Sequence, residues 1–319
     1  MANIGKNLPL KFLPVLAVLG LFAGAPGALA HDAADSEPAS ASAHEGGADS
    51  GEEFETKHLF GFTEGTDVGE VGGRELEFET FANIGKRGGG RYDALEQEIN
   101  YEAAPTSRFG YEATLHGVSQ QIGNVPGLNN LSQTTFSGVS FNPKYILLTR
   151  GVDAPFGLAV SLQPEYDRID PVTGAHANNF VLGSRVYLDA ELIEKKLYAA
   201  ANLIFSPEVD NETFYGVSQY ALFGATAALT WRLMPAFAVG GEVEFYQAYN
   251  SLGFSQTIGS ATYLGPTMHW QISPKVFAAA AWSAQIAGQP CNSSPAALAL
   301  YNQSDISRQR GRLTVGVEF

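Results

Sequence analysis

Charged residues recur in this chain at a spacing of two. Glu77 and Glu79 form one such row, and Glu96, Glu98 and Glu102 a second. Glu112 stands in a third stretch, and Arg310 and Arg312 form a basic row near the end. Residues two apart share one side of an extended strand, so each row presents its charge in one direction. Two roles suit such rows. Around an aqueous bore, acidic rings favour cations; paired with the arginines, the same groups would instead brace a seam and fill the bore. The sequence leaves both open. By the same parity Lys144, Arg185 and Arg232 point with Asp189, Glu242 and Glu244, and the carboxylates remain in excess.

Reactive constellations are scarce. His116 and His269 share the parity of the charged rows, where an imidazole can titrate near neutral pH and act as a gate, although a plain hydrogen-bonded role is simpler. Hydrolysis would need a Ser or Asp set against a His that a third group positions. No such motif flanks either histidine and no G-x-S-x-G occurs, so the sequence predicts no enzyme. Cys291, alone, lies in a Ser/Pro/Ala-rich stretch without a metal or redox motif. The stretch "KRGGGR" precedes no helix, which removes the geometry of a phosphate loop. Its Lys86, Arg87 and Arg91 are expected at a surface hairpin tip, with lipopolysaccharide phosphates as neighbours. His31, His44 and His58 lie near carboxylates, but their spacing fits no recognised ligand pattern. No cofactor or metal is therefore assigned.

The elements that position these rows are strands. From about residue 74, stretches of roughly 10–16 residues alternate apolar and polar side chains, the period-two signal of β-structure. Twelve stretches begin near Arg74, Tyr92, Arg108, Phe136, Phe156, Asn178, Lys196, Phe214, Ala236, Ala261, Val276 and Arg308. Tight connections at Pro105, Gly151, Ile193, Leu233 and Ser273 alternate with looser ones: "KRGGGR", "GNVPGLNNLSQ", "DPVTGAHA", "SPEVDNE", "YNSLGFSQTIGS" and Gln289 to Ser307. Short turns at one end and long loops at the other are the habit of outer-membrane barrels. Leu158, Val160, Leu162 and Tyr166 oppose Ser161, Gln163, Glu165 and Asp167. Phe237, Val239, Val243 and Phe245 likewise oppose Glu242 and Glu244. No soluble core accepts so many unpaired carboxylates, so the apolar rows are expected to face lipid and the charged rows a lumen. Open edges in hydrocarbon would strand backbone groups, which makes closure obligatory. Aromatics mark the strand ends: Tyr101, Phe109, Tyr111, Tyr145, Trp231, Trp270 and Phe319 at the short-turn end, and Tyr166, Phe205, Tyr215 and Phe245 at the other, as in an aromatic girdle.

Four segments are expected. Residues 1–30 read as a signal peptide, with Lys6 and Lys11 before an apolar stretch and cleavage around Ala28 and Ala30. Residues 31–57 read as an acidic, disordered periplasmic tether. Residues 58–73, with "HLFGFTEG", are a plug, a strap or an extra strand. Residues 74–319 form the barrel. No apolar run reaches the roughly 18–20 residues of a spanning helix. A formal charge of −14 argues against a nucleic-acid partner.

The chain ends "RLTVGVEF", with Leu313, Val315, Val317 and Phe319 on one face. This ending resembles the C-terminal assembly signal of Gram-negative outer-membrane barrels. The segments "EGTDVGEVGG", "GGGRYDALEQE" and "EAAPTSRFGYE" resemble the opening of an uncharacterised outer-membrane barrel family, which is grouped with transporters inferred for phenol meta-pathway clusters. The resemblance implies a Gram-negative outer-membrane location and no catalytic motif. The expected protein is thus a monomeric, all-β, antiparallel transmembrane barrel of about twelve strands. It would pass small solutes, with mild cation preference, through a Glu/Arg-lined lumen. The alternative is a closed structural barrel that displays its outer loops. The expected partners are membrane lipid, lipopolysaccharide, the barrel-assembly machinery and small solutes.

Overall fold

A computed structural model of the chain describes residues 55–86, 88–151, 154–212, 216–290 and 306–319. The expectations on Ala28, Ala30, His31, His44, Arg87, Phe214, Tyr215, Cys291 and most of the Gln289–Ser307 loop lie outside the described residues. Twelve strands form: β1 (Arg74–Ile84), β2 (Arg91–Thr106), β3 (Phe109–Gly123), β4 (Leu131–Leu148), β5 (Phe156–Ile169), β6 (His176–Ile193), β7 (Leu197–Glu212), β8 (Gly216–Met234), β9 (Phe237–Tyr249), β10 (Thr257–Ser273), β11 (Val276–Pro290) and β12 (Gln309–Glu318). Each pairs antiparallel with its chain neighbours, and β1 pairs with β12 to close the barrel. The closing rungs run from Glu75↔Glu318 to Ile84↔Gln309. Beyond them the Phe319 amide donates to the Arg74 carbonyl at 3.0 Å.

Most strands start within about two residues of where the alternation places them. β4 and β10 start earlier, at Leu131 and Thr257, because pairing continues to Ile122↔Leu131 and Tyr249↔Thr257. One expected loop is absent. "SPEVDNE" is strand: β7 and β8 stay paired from Ser206↔Leu222 to Glu212↔Gly216. A ladder gains backbone bonds wherever it can continue, so polar composition alone does not end a strand. The β4–β5 ladder has a gap, passing from Ser140↔Glu165 to Lys144↔Ser161. Pro143 and Pro164 both fall inside it, and neither can donate an N–H.

The two faces separate by polarity. Leu115 (53% exposed), Phe180 (57%) and Leu229 (54%) point outward, while Glu77, Asn100, Asp189 and Glu244 are buried inside. A soluble protein does not expose apolar surface on this scale; a bilayer covers it. This is a transmembrane barrel with lipid outside and a polar lumen. Among the expected girdle residues, Tyr145 (47%), Trp231 (43%), Trp270 (50%) and Phe319 (61%) face out at the short-turn end. Lys86 corrects the surface-tip expectation. It is buried, its ammonium 3.9 Å from the centre of the Tyr92 ring, where the ring's negative face takes the place of water. Arg91 is exposed as expected and binds Asp93 at 2.8 Å.

Candidate functional site

Residues 55–69 lie inside the barrel, and the lumen side chains converge on them, while Glu70, Val71 and Gly72 are exposed at the short-turn mouth. The ordered stretch includes Glu55, Thr56 and Lys57, three residues assigned by composition to the tether. The segment forms a loop. Its two limbs meet where the Thr56 amide donates to Asp67 Oδ2 at 2.8 Å. Its tip is Phe62, whose ring faces Phe81 of β1 and the Arg310 guanidinium of β12, 4.5 Å away.

A loop buried in a lumen cannot satisfy its own backbone, so the wall must do so. Glu242 of β9 accepts the Phe62 amide at 2.9 Å and the Thr63 amide at 3.0 Å. Asn202 of β7 accepts from the Glu64 amide and donates to the Glu64 carbonyl, both at 2.9 Å. Asp189 of β6 accepts the Thr66 amide at 2.8 Å and the Thr56 hydroxyl at 2.5 Å. Lys144 of β4 donates to the carbonyls of Gly65 (2.7 Å) and Asp67 (3.0 Å). Arg312 of β12 donates to the Gly61 carbonyl at 2.7 Å. His269 of β10 sets Nδ1 3.0 Å from the His58 carbonyl. Apolar packing is smaller: Leu59 and Phe60 lie against Tyr198 and the alanines 200, 228 and 238, and Val68 against Ala104, Ile146, Ala159 and Tyr187.

Ion pairs complete the seat. Arg185 binds Glu64, and Arg150, from the β4–β5 turn, binds Asp189 at 2.7 Å and Asp67 at 3.3 Å. Burial alone would raise the Glu64 carboxyl, but Arg185, Arg312 and Lys144 hold it down at about 2. Glu64 thus stays ionised, and its anchoring is complete above pH 4.5 and fades only as pH falls towards 2. Lys57 binds Glu102 and lies 3.3 Å from Glu75.

The sequence expected Arg310 and Arg312 beside Glu77 and Glu79. Arg312 does bind Glu79. Arg310 does not: the register sets it opposite Asn83, further towards the long-loop end, and its side chain reaches past β11 and β10 to Glu244 of β9. Ser283 also donates to Glu244, at 2.7 Å. Arg232 lies at the short-turn end and donates to the Pro235 carbonyl at 2.9 Å, away from Glu242 and Glu244.

Beyond the loop tip the wall is acidic, with Glu96, Glu98, Glu165 and Asp167 on the lumen face of β2 and β5. Glu112 lines a gap beside the loop and accepts from Thr114 at 3.0 Å. His116 is less isolated than the sequence suggested. Glu98 Oε1 lies 3.2 Å from its Nδ1 and Ser140 Oγ 3.0 Å from its Nε2. Carboxylate, imidazole and hydroxyl in that order are the parts of a nucleophilic triad. Acyl transfer also needs donors for the oxyanion. Here the further donor on Ser140 is Gln163 Nε2 at 3.3 Å, which Glu165 shares at 3.4 Å. Glu165 is also the rung partner of Ser140, so the one further amide donor is divided between the two side chains. The trio is a cross-strand hydrogen-bond ladder.

Two gaps between loop and wall are small. One, bounded by Lys57, Glu77, Glu112 and Lys144, holds about 40 Å³, and one beside Gly61 and Ala280 about 10 Å³. A water needs roughly 10–15 Å³ by this measure, so these gaps take a few waters at most. Wider cavities open at the short-turn mouth, one of about 200 Å³ by Arg74 and Phe319 and one of about 420 Å³ between His58 and the wall at Arg232 and Gln271.

Asp189 carries the heaviest load, since its side chain and that of Arg150 are 0% and 6% exposed. Breaking a buried pair on one side costs about 3–5 kcal/mol. Asp189→Ala is therefore expected to loosen the loop by about 3 kcal/mol, or about 100-fold faster exchange of the Thr66 amide. Strand amides should keep their protection. Unchanged Thr66 exchange would remove Asp189 from the seat.

A protein-family model described as "Family of unknown function (DUF6662)" matches residues 52–319. No curated protein matches. Among solved structures, the COG4313 outer membrane channel from Pseudomonas putida F1 is 11% identical over 80% of this chain and 98% of that one, with a TM-score of 0.51. The NanC porin is 10% identical over 76% and 98%, with a TM-score of 0.46. The KdgM porin is 11% identical over 77% and 99%, with a TM-score of 0.43. At these identities the P. putida likeness shows a shared barrel fold.

Proposed function

Because the chain belongs to that family of unknown function, its activity has to be read from the lumen, and we propose that it is a gated outer-membrane channel. Residues 55–69 form the gate, and the route for small solutes, cations above anions, opens when they leave their seat. One observation carries the reading: beside the packing of Leu59, Phe60 and Val68, the wall holds the loop through bonds to its backbone from Glu242, Asn202, Asp189, Lys144 and Arg312 and through ion pairs. Water can replace such bonds once a lumen floods, and each contributes only about 0.5–1.5 kcal/mol net, or about 1.5–3 kcal/mol where a charge takes part. An apolar core offers no such exchange. The excess of carboxylates along the wall favours cations. The P. putida neighbour, itself named as a channel, supports the same reading.

A closed barrel that only displays its loops is the second reading, favoured by the number of strands that anchor the loop. Proteoliposomes separate the two. The wild-type protein is expected to release small organic cations faster than anions of equal size. Release of neither would support the closed barrel, and faster anion release would overturn the selectivity.

A further inference from the structure

We propose that His58, Glu75, Glu77 and Glu102 form a binding site for a divalent transition-metal ion, joining the lumen loop to the β1–β2 wall. Each offers a ligand atom, His58 Nε2 and one carboxylate oxygen apiece, and these atoms lie within 4.8 Å of one another. The glutamates are buried, Glu77 at 1% exposure. His58 is fixed by stacking on Phe277, with ring centres 4.5 Å apart and planes 18° from parallel.

The unmet bonding points to an ion. His58 Nε2 and Glu77 Oε1 are 2.9 Å apart, an ion pair only when the imidazole is protonated, and no well-directed hydrogen bond joins them. Two ligands of one metal stand in that relation. With bonds of about 2.1 Å, a separation of 2.9 Å subtends about 90° at the ion. The 3.6 Å from His58 Nε2 to Glu75 Oε2 subtends about 118°. Both angles suit a four-coordinate site. A tetrahedral site with such bonds sets its ligands about 3.4 Å apart, so the outermost pair must close by up to about 1.4 Å, which rotation of the glutamate side chains supplies.

Charge points the same way. Three carboxylates against the single Lys57 ammonium leave two negative charges when His58 is neutral, which a divalent cation would balance. Lys57 now occupies part of the space, and it also borders the cavity at the short-turn mouth by Arg74 and Phe319, into which it can withdraw. An imidazole with carboxylates suits a borderline ion such as zinc. No sequence motif announces this set, because its ligands come from the loop and two strands. Binding itself does not depend on the channel reading. Its consequence, a loop pinned more firmly, does rest on it.

The test is a zinc titration of the full chain folded in detergent, in competition with a chromophoric chelator. His31→Gln and His44→Gln remove the histidines before the loop. One equivalent is expected to bind. His58→Gln and Glu77→Gln should each lower affinity by about tenfold or more, and Lys57→Met should raise it by removing the competing ammonium. Should Glu77→Gln fail to fold, His58→Gln decides, since His58 belongs to no strand. Absence of binding, or binding unchanged by His58→Gln, overturns the site. Weaker binding in Lys57→Met overturns the exchange with Lys57. Because the readout is binding rather than passage, a failed site leaves the channel reading to its own test.

Discussion

Deletion of residues 55–69 is expected to leave a folded barrel with a permanently conducting lumen. None of the twelve ladders uses that segment, so the backbone bonds that hold the barrel survive its loss. Glu242, Asp189, Lys144 and Arg312 lose partners, but water enters where the loop was. Their desolvation is relieved together with their pairing, so the cost falls well below that of a buried orphan charge. The opened wall carries Glu77, Glu79, Glu102, Glu112, Asp189, Glu242 and Glu244 against Lys144, Arg150, Arg185, Arg310 and Arg312. With this excess the reversal potential should move to the cation side under a salt gradient. A folded deletion variant that carries no current would mean that something other than the loop closes the bore.

The opposite change should have the opposite effect. Thr63 at the loop and Thr226 on β8 are buried, and their hydroxyls meet at 3.0 Å. A disulfide has a sulfur separation of about 2.05 Å, so Thr63→Cys with Thr226→Cys asks for an approach of only about 1 Å. Cys291→Ser removes the native thiol that would otherwise compete. Oxidised, this pair holds the loop tip to the wall covalently, and openings that need the loop to leave should disappear. Reduction should restore them, which no change in barrel folding would do.

The barrel was legible because alternation is local. A strand announces its two faces in a run such as "FGLAVSLQPEYDR", and closure follows from the lipid environment. A plug was one of three alternatives for residues 58–73, and its seat was not legible, because "HLFGFTEG" has no period and its partners are far away: Asn202 is 138 residues from Glu64, and Glu242 is 180 residues from Phe62. The signal present was its glycines. A Cβ on Gly61 would strike the Glu242 carboxylate and Ala281, and one on Gly157 of the wall would strike Thr66. Such close approaches imply a tightly packed loop, but spacing alone does not say against what. Arg310 shows the same limit. Parity gave its face correctly, whereas its partner depends on a reach past two neighbouring strands. Likewise, Glu98, His116 and Ser140 became neighbours only once the registers of β2, β3 and β4 were known.

Gating requires that the loop leave its seat. The direct measurement is single-channel current through the Thr63→Cys/Thr226→Cys/Cys291→Ser protein in one planar bilayer, oxidised and then reduced. A loop that gates the lumen predicts silence when oxidised and cation-selective steps when reduced. Equal currents in the two states would contradict it, because solutes would then pass without the loop leaving its seat.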